Sequence, residues 1–86
     1  MNANKIDLTE ASRVLFVALV KDAGNWAGMP MWGGNVGGSK EDRGNLTDLK
    51  KKGLVRTQQD EGCEWVTFTD LGREFASSLG LANYLD

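Results

Sequence analysis

Histidine is absent from the chain, and cysteine and proline occur once each, at Cys63 and Pro30. A lone cysteine closes no internal disulfide, and without histidine it belongs to no zinc-binding set. Its neighbours Glu61 and Glu64 are acidic, the reverse of the basic surroundings that activate a thiol, so Cys63 reads as a bystander in a turn. The missing histidine also removes the commonest general base. No nucleophile–base pair and no carboxylate pair in an apolar setting replaces it, so neither an enzyme nor a bound cofactor is expected.

Long apolar runs are missing as well. The longest, Val14 to Val20, is flanked by Arg13 and Lys21 and falls well short of the roughly 20 residues that span a bilayer. The opening "MNANKIDLTE" has no signal-type hydrophobic stretch, so no membrane partner and no export are expected. With the single cysteine, this points to a reducing cytoplasm.

What is present is a globular composition. At 86 residues, 41% hydrophobic and 26% charged, the chain supports one domain, residues 1–86, with one modest core. A net charge of −2 gives no overall pull toward nucleic acid, but the charges are unevenly spread. Lys40, Arg43, Lys50, Lys51, Lys52 and Arg56 make the middle basic. From Asp60 onward only Arg73 opposes six carboxylates. Such an asymmetry orients a protein on a polyanion or simply solvates a surface.

Hydrophobic spacing predicts the elements. Asp7 followed by Glu10 fits a capping box, and Leu8, Ala11, Leu15, Ala18 and Leu19 recur at helical spacing up to about Asp22. The stretch "AGNWAGMPMWGGNVGG" then holds six of the eleven glycines and the only proline, which opposes a long helix. One short helical turn at Asn25–Gly28 and an irregular connection are expected. Trp26, Met29, Met31 and Trp32 are too apolar for a solvated linker. They either fold back as a plug on the core or form an exposed anchor for a protein partner.

Ser39 is a suitable N-cap for a second long helix, with Gly53 as its stop. Leu46 and Leu49 mark its inward face; Lys40, Gly44, Thr47 and Lys51 lie opposite, with Arg43 and Lys50 on the flank. "LVRT" reads as a strand, "QQDEG" as a turn and "EWVTFT" as a returning strand. A last helix begins at Thr69 or Asp70, buries Leu71, Phe75 and Leu79, and stops at Gly80. Leu81, Tyr84 and Leu85 in the tail either pack back or join a dimer interface.

"LTDLKKKGLV", a hairpin and "VTFTDLGREFA" together resemble the winged helix-turn-helix superfamily over about Ser39 to Ala76. The resemblance implies a small α+β fold, a three-helix core plus a two-stranded β-hairpin wing. The glycine-rich stretch also resembles those of small phage or prophage proteins. Two departures stand out. The Gly/Pro/Trp-rich connection occupies the place of the family's second helix, and Asp42 stands where members usually carry an apolar residue.

The resemblance implies a DNA-binding regulator of transcription that sets the 39–52 helix in the major groove of double-stranded DNA. Arg43 and Asn45 are then candidates for base edges, and Lys40, Thr47, Lys51 and Arg56 for phosphates. A homodimer built on the first helix or the tail is expected, because one small domain binds DNA weakly. The acidic hairpin tip "QDEGCE" argues that the wing stays off the phosphates. The other reading is a winged-helix protein–protein interaction module, an adaptor in phage or host regulation, using loop 24–38.

Overall fold

A computed structural model describes residues 6–25, 28–34 and 36–85. In chain order the elements are α1 (Glu10–Ala23), α2 (Lys40–Lys51), β1 (Val55–Asp60), β2 (Cys63–Phe68) and α3 (Asp70–Ser78), closed by a 3-10 turn at Ala82–Tyr84. This is a small α+β arrangement of three helices and an antiparallel hairpin, consistent with a winged-helix layout.

α1 begins two residues later than the Asp7 capping box predicts. Thr9 is the cap: its hydroxyl accepts the Ser12 amide at 3.1 Å, satisfying one of the open donors of the first turn. The helix buries Leu15, Phe16, Leu19 and Val20. Phe16 sits at the centre of the core, edge-on to Phe68 of β2 at 5.9 Å and tilted against Phe75 of α3 at 5.1 Å. One side chain from α1 thus joins the hairpin to the last helix, an arrangement favoured by the aromatic quadrupole.

α2 is capped as its sequence predicts. Ser39 Oγ accepts the Asp42 amide at 3.0 Å, and Gly53 ends the helix with φ +77°. Gly53 N–H bonds Lys50 C=O and Leu54 N–H bonds Leu49 C=O, the paired contacts of a Schellman stop. Leu49 and Leu54, brought together by that stop, are both fully buried. The turn therefore delivers the chain directly into β1.

The strands are longer than "LVRT" and "EWVTFT" suggest. β1 runs through Asp60, which pairs with Cys63, so the turn is only Glu61–Gly62. Both turn residues have positive φ, 51° and 81°, matching a type I′ turn and the right-handed twist of the strands. Cys63 is accordingly the first residue of β2 rather than part of the turn. Val55, Val66 and Phe68 face the core, while Arg56, Trp65 and Thr67 point the other way.

Thr69 fastens the hairpin exit to the corner after α2. Its hydroxyl donates to Gly53 C=O at 2.6 Å and accepts the Gly72 amide at 2.9 Å, capping α3. A Cβ on Gly72 would overlap the Leu54 carbonyl, so the first turn of α3 can lie against β1 only with glycine there. The tail folds back: Leu85 is buried, Leu81 and Tyr84 pack on the core, and Arg73 donates to the Leu85 carbonyl at 3.3 Å. Among the described residues no helix is long and apolar enough to cross a membrane.

The described part of the 24–38 connection is turns and isolated bridges, with no helix standing in for the family's second one. It docks on the edge of β2: Val66 N–H donates to Pro30 C=O at 2.9 Å and Trp32 N–H to Glu64 C=O at 2.7 Å, with Met31 bridging Trp65. Of the helical turn expected at Asn25–Gly28, the Gly28 amide bonds the Ala23 carbonyl at 2.9 Å, and residues 26 and 27 lie outside the described residues.

Candidate nucleic-acid interface

The burial of Leu46 and Leu49 decides which way α2 faces. Both are fully buried, so the helical repeat turns Lys40, Gly44, Thr47 and Lys51 to the opposite side, and all four are exposed. Beyond its chain neighbours and the adjoining backbone of α2 itself, no atom lies within 4 Å of the position a Cβ would take on Gly44, so the middle of this face is open. Lys50 and Lys51 occupy the last turn, where the carbonyl end of the helix favours cations. The tail packs against α1 and α3 and leaves this face uncovered.

Arg43 belongs to the flank toward the hairpin. Its guanidinium grips Glu64 of β2 with two parallel bonds, at 2.8 and 3.2 Å, and lies 5.5 Å from the centre of the Trp32 ring. Such a fork-to-fork pair with cation–π support holds geometry better than a single contact. The Arg43 hydrogen bonds hold the Glu64 carboxyl below the usual glutamate range, against an upward push from burial; the charges of Arg43 and Lys50 and a bond from Thr57 assist. Arg43 is raised in turn, chiefly by the same hydrogen bonds. Glu64 is the partner of a candidate site residue that sequence reasoning missed. It stands 21 residues from Arg43, and only the register of the hairpin brings the two together.

The remaining candidates fall in different places. Thr47 is exposed, and its hydroxyl donates to the Arg43 carbonyl one turn back at 3.0 Å. Asn45 is half-buried on the opposite flank, beside α1, away from the Lys40–Lys51 face. Arg56 is exposed at the start of β1, on the hairpin side facing away from the core. Asp42, in the first turn of α2, is half-buried on the α1 side with its amide held by Ser39.

The four apolar residues of the connection separate as well. Trp32 is half-buried against the core, its ring packed so closely over Gly37 that a Cβ there would lie 2.7 Å from it. Met31 is half-buried on the β2 edge, and Met29 is 42% exposed. Trp26 lies outside the described residues. Trp32 is thus part of the plug and of the Arg43 brace.

No family model, curated protein or solved structure matches the chain. The functional reading therefore rests on the geometry of this surface.

Proposed function

We propose that the protein binds double-stranded DNA through the outer face of α2 and acts in the cytoplasm as a small winged-helix regulator of transcription. The observation that carries this is the single exposed face of Lys40, Gly44, Thr47 and Lys51, set opposite Leu46 and Leu49 and left open above Gly44. A helix of 12 residues that is anchored on one side and basic on the other fits the width of the major groove. Lys40, Lys50 and Lys51 meet phosphates.

Arg43 has a second duty in this scheme. Braced by Glu64 and Trp32, it fixes the angle between helix and hairpin, and it reaches a guanine edge only by exchanging the carboxylate for the base. The hairpin tip, with Asp60 and Glu61 exposed, stays clear of the phosphates, so α2 supplies most of the contact.

The test is a titration of labelled duplex DNA at salt concentrations from about 50 to 200 mM. Binding supported mainly by lysine–phosphate contacts weakens steeply across that range. Absence of binding at the lowest salt removes the proposal.

A further inference from the structure

The other flank of α2 faces α1, and there the two helices leave a groove open to solvent. Its apolar surface comes from Ala11, Val14 and Ala18 of α1 and Val36 of the connection. Val14 is 62% exposed, although it lies in mid-helix between two turns that feed the core. Three carboxylates edge the groove: Glu10 from α1, and Glu41 and Asp42 from α2. Among the described residues no lysine or arginine lines it. Each carboxylate sits in the first turn of its helix, where the amide ends tolerate negative charge without a cation from the chain itself. The result is an apolar trough under a negative field, on a molecule whose opposite α2 flank is basic.

We infer that this groove docks a basic amphipathic helical segment of a partner protein. The partner would set apolar side chains on Ala11, Val14 and Ala18 and lysines or arginines against Glu10, Glu41 and Asp42. Ala11 to Ala18 spans about two helical turns, the length over which anchors at i, i+3 or i+4, and i+7 engage a groove. Charge selects this occupant over the alternatives. A second copy related by a twofold axis would bring Glu10, Glu41 and Asp42 toward their own duplicates, and a nucleic acid would meet three like charges. The groove and the Lys40–Lys51 face lie on different sides of α2, so the inference stands whether or not DNA is bound.

The test uses the full chain, isotope-labelled, with a synthetic peptide of about 15 residues that carries leucines at helical spacing and lysines beside them. A scrambled peptide of the same composition and a glutamate-for-lysine version serve as controls. The expected result is amide-shift changes centred on Ala11, Val14, Ala18 and Val36 for the patterned lysine peptide alone. V14D should weaken it at least about tenfold by removing the apolar anchor. E41K, an exposed substitution that keeps the groove floor, should weaken it at least about threefold. Equal binding of the scrambled peptide, shifts centred on Asp60 and Glu61, no binding at all, or a dimer dispersed by V14D would each overturn the inference.

Discussion

Arg43 on α2 and Glu64 on β2 form a two-pronged ion pair at 2.8 and 3.2 Å, and this pair ties the helix to the hairpin across 21 residues of sequence. The pair is partly open to water, so its worth lies in fixing an angle more than in raw stability. Trp32, beneath the guanidinium, joins the glycine-rich connection to the same point.

A pH dependence follows from that pair. A carboxyl held below its ordinary value stabilises the fold above the unfolded-state value of about 4.3, and that contribution is lost as pH falls through the folded value. Glu64→Gln should therefore lower the thermal midpoint at pH 7, and the gap from the parent protein should close as pH falls below about 4.3 and on through the lowered folded-state value. Melts followed by circular dichroism at a series of pH values measure it. A gap that is constant with pH would mean the glutamine acts through packing.

Leu46→Ala should cost about 2–5 kcal/mol, because the leucine is fully buried and the neighbouring helices close only part of the void. Lys51→Glu, on the exposed side but in the last turn of α2, should cost no more than about 1 kcal/mol. Denaturant unfolding of the two variants separates the anchoring face from the open one.

On DNA, Lys51→Glu should weaken binding to all sequences alike and lower the slope of log affinity against log salt by about one unit or more. Retention of the parent slope would remove Lys51 from the phosphate contacts while leaving the rest of the face to be tested by Lys40→Glu.

The two helical glycines should respond in opposite directions. Gly72→Ala drives a Cβ into the Leu54 carbonyl, where backbone meets backbone and neither yields, and should cost about 3 kcal/mol. Gly44→Ala meets nothing and should raise stability by about 0.5–1 kcal/mol, as expected for an exposed helix interior. If Gly44 permits close approach to DNA, the stabler variant should also bind DNA less tightly. Unfolding and binding curves on the same preparations check both halves.

Local chemistry was readable in the sequence; distant pairing was not. Ser39, Gly53, Gly80 and the capping bond of Thr69 to Gly72 act through atoms a few residues away, and each marks the boundary its residue type implies. The Thr69 bond to Gly53 is the long-range exception. Leu46 and Leu49 announce their buried face through spacing alone. At the start of α1 both Asp7 and Thr9 suit the capping role by type, and which one caps depends on which reaches an open amide, here Thr9. The hairpin turn is tighter than its residue types imply because Glu61 adopts a positive φ that its residue type disfavours. The Arg43–Glu64 brace and the Met31–Trp65 bridge left no local trace, since each depends on the register of β2. Asn45 suits a base edge by residue type, but one residue before Leu46 on a repeat of about 100° it turns to the flank where α1 lies.

The docking of Pro30–Trp32 along β2 has a consequence for how the molecule behaves in a crowd. A two-stranded hairpin ordinarily offers two unpaired rims to any other chain with free amides. One rim is here occupied by the protein's own backbone, through Pro30 and Trp32. The other belongs to β1, where the exposed charges of Arg56 near its start and Asp60 at its end discourage intermolecular strand addition. The glycine-rich connection thus serves as a fender as well as a link, and shortening it should leave a protein more prone to form fibrils.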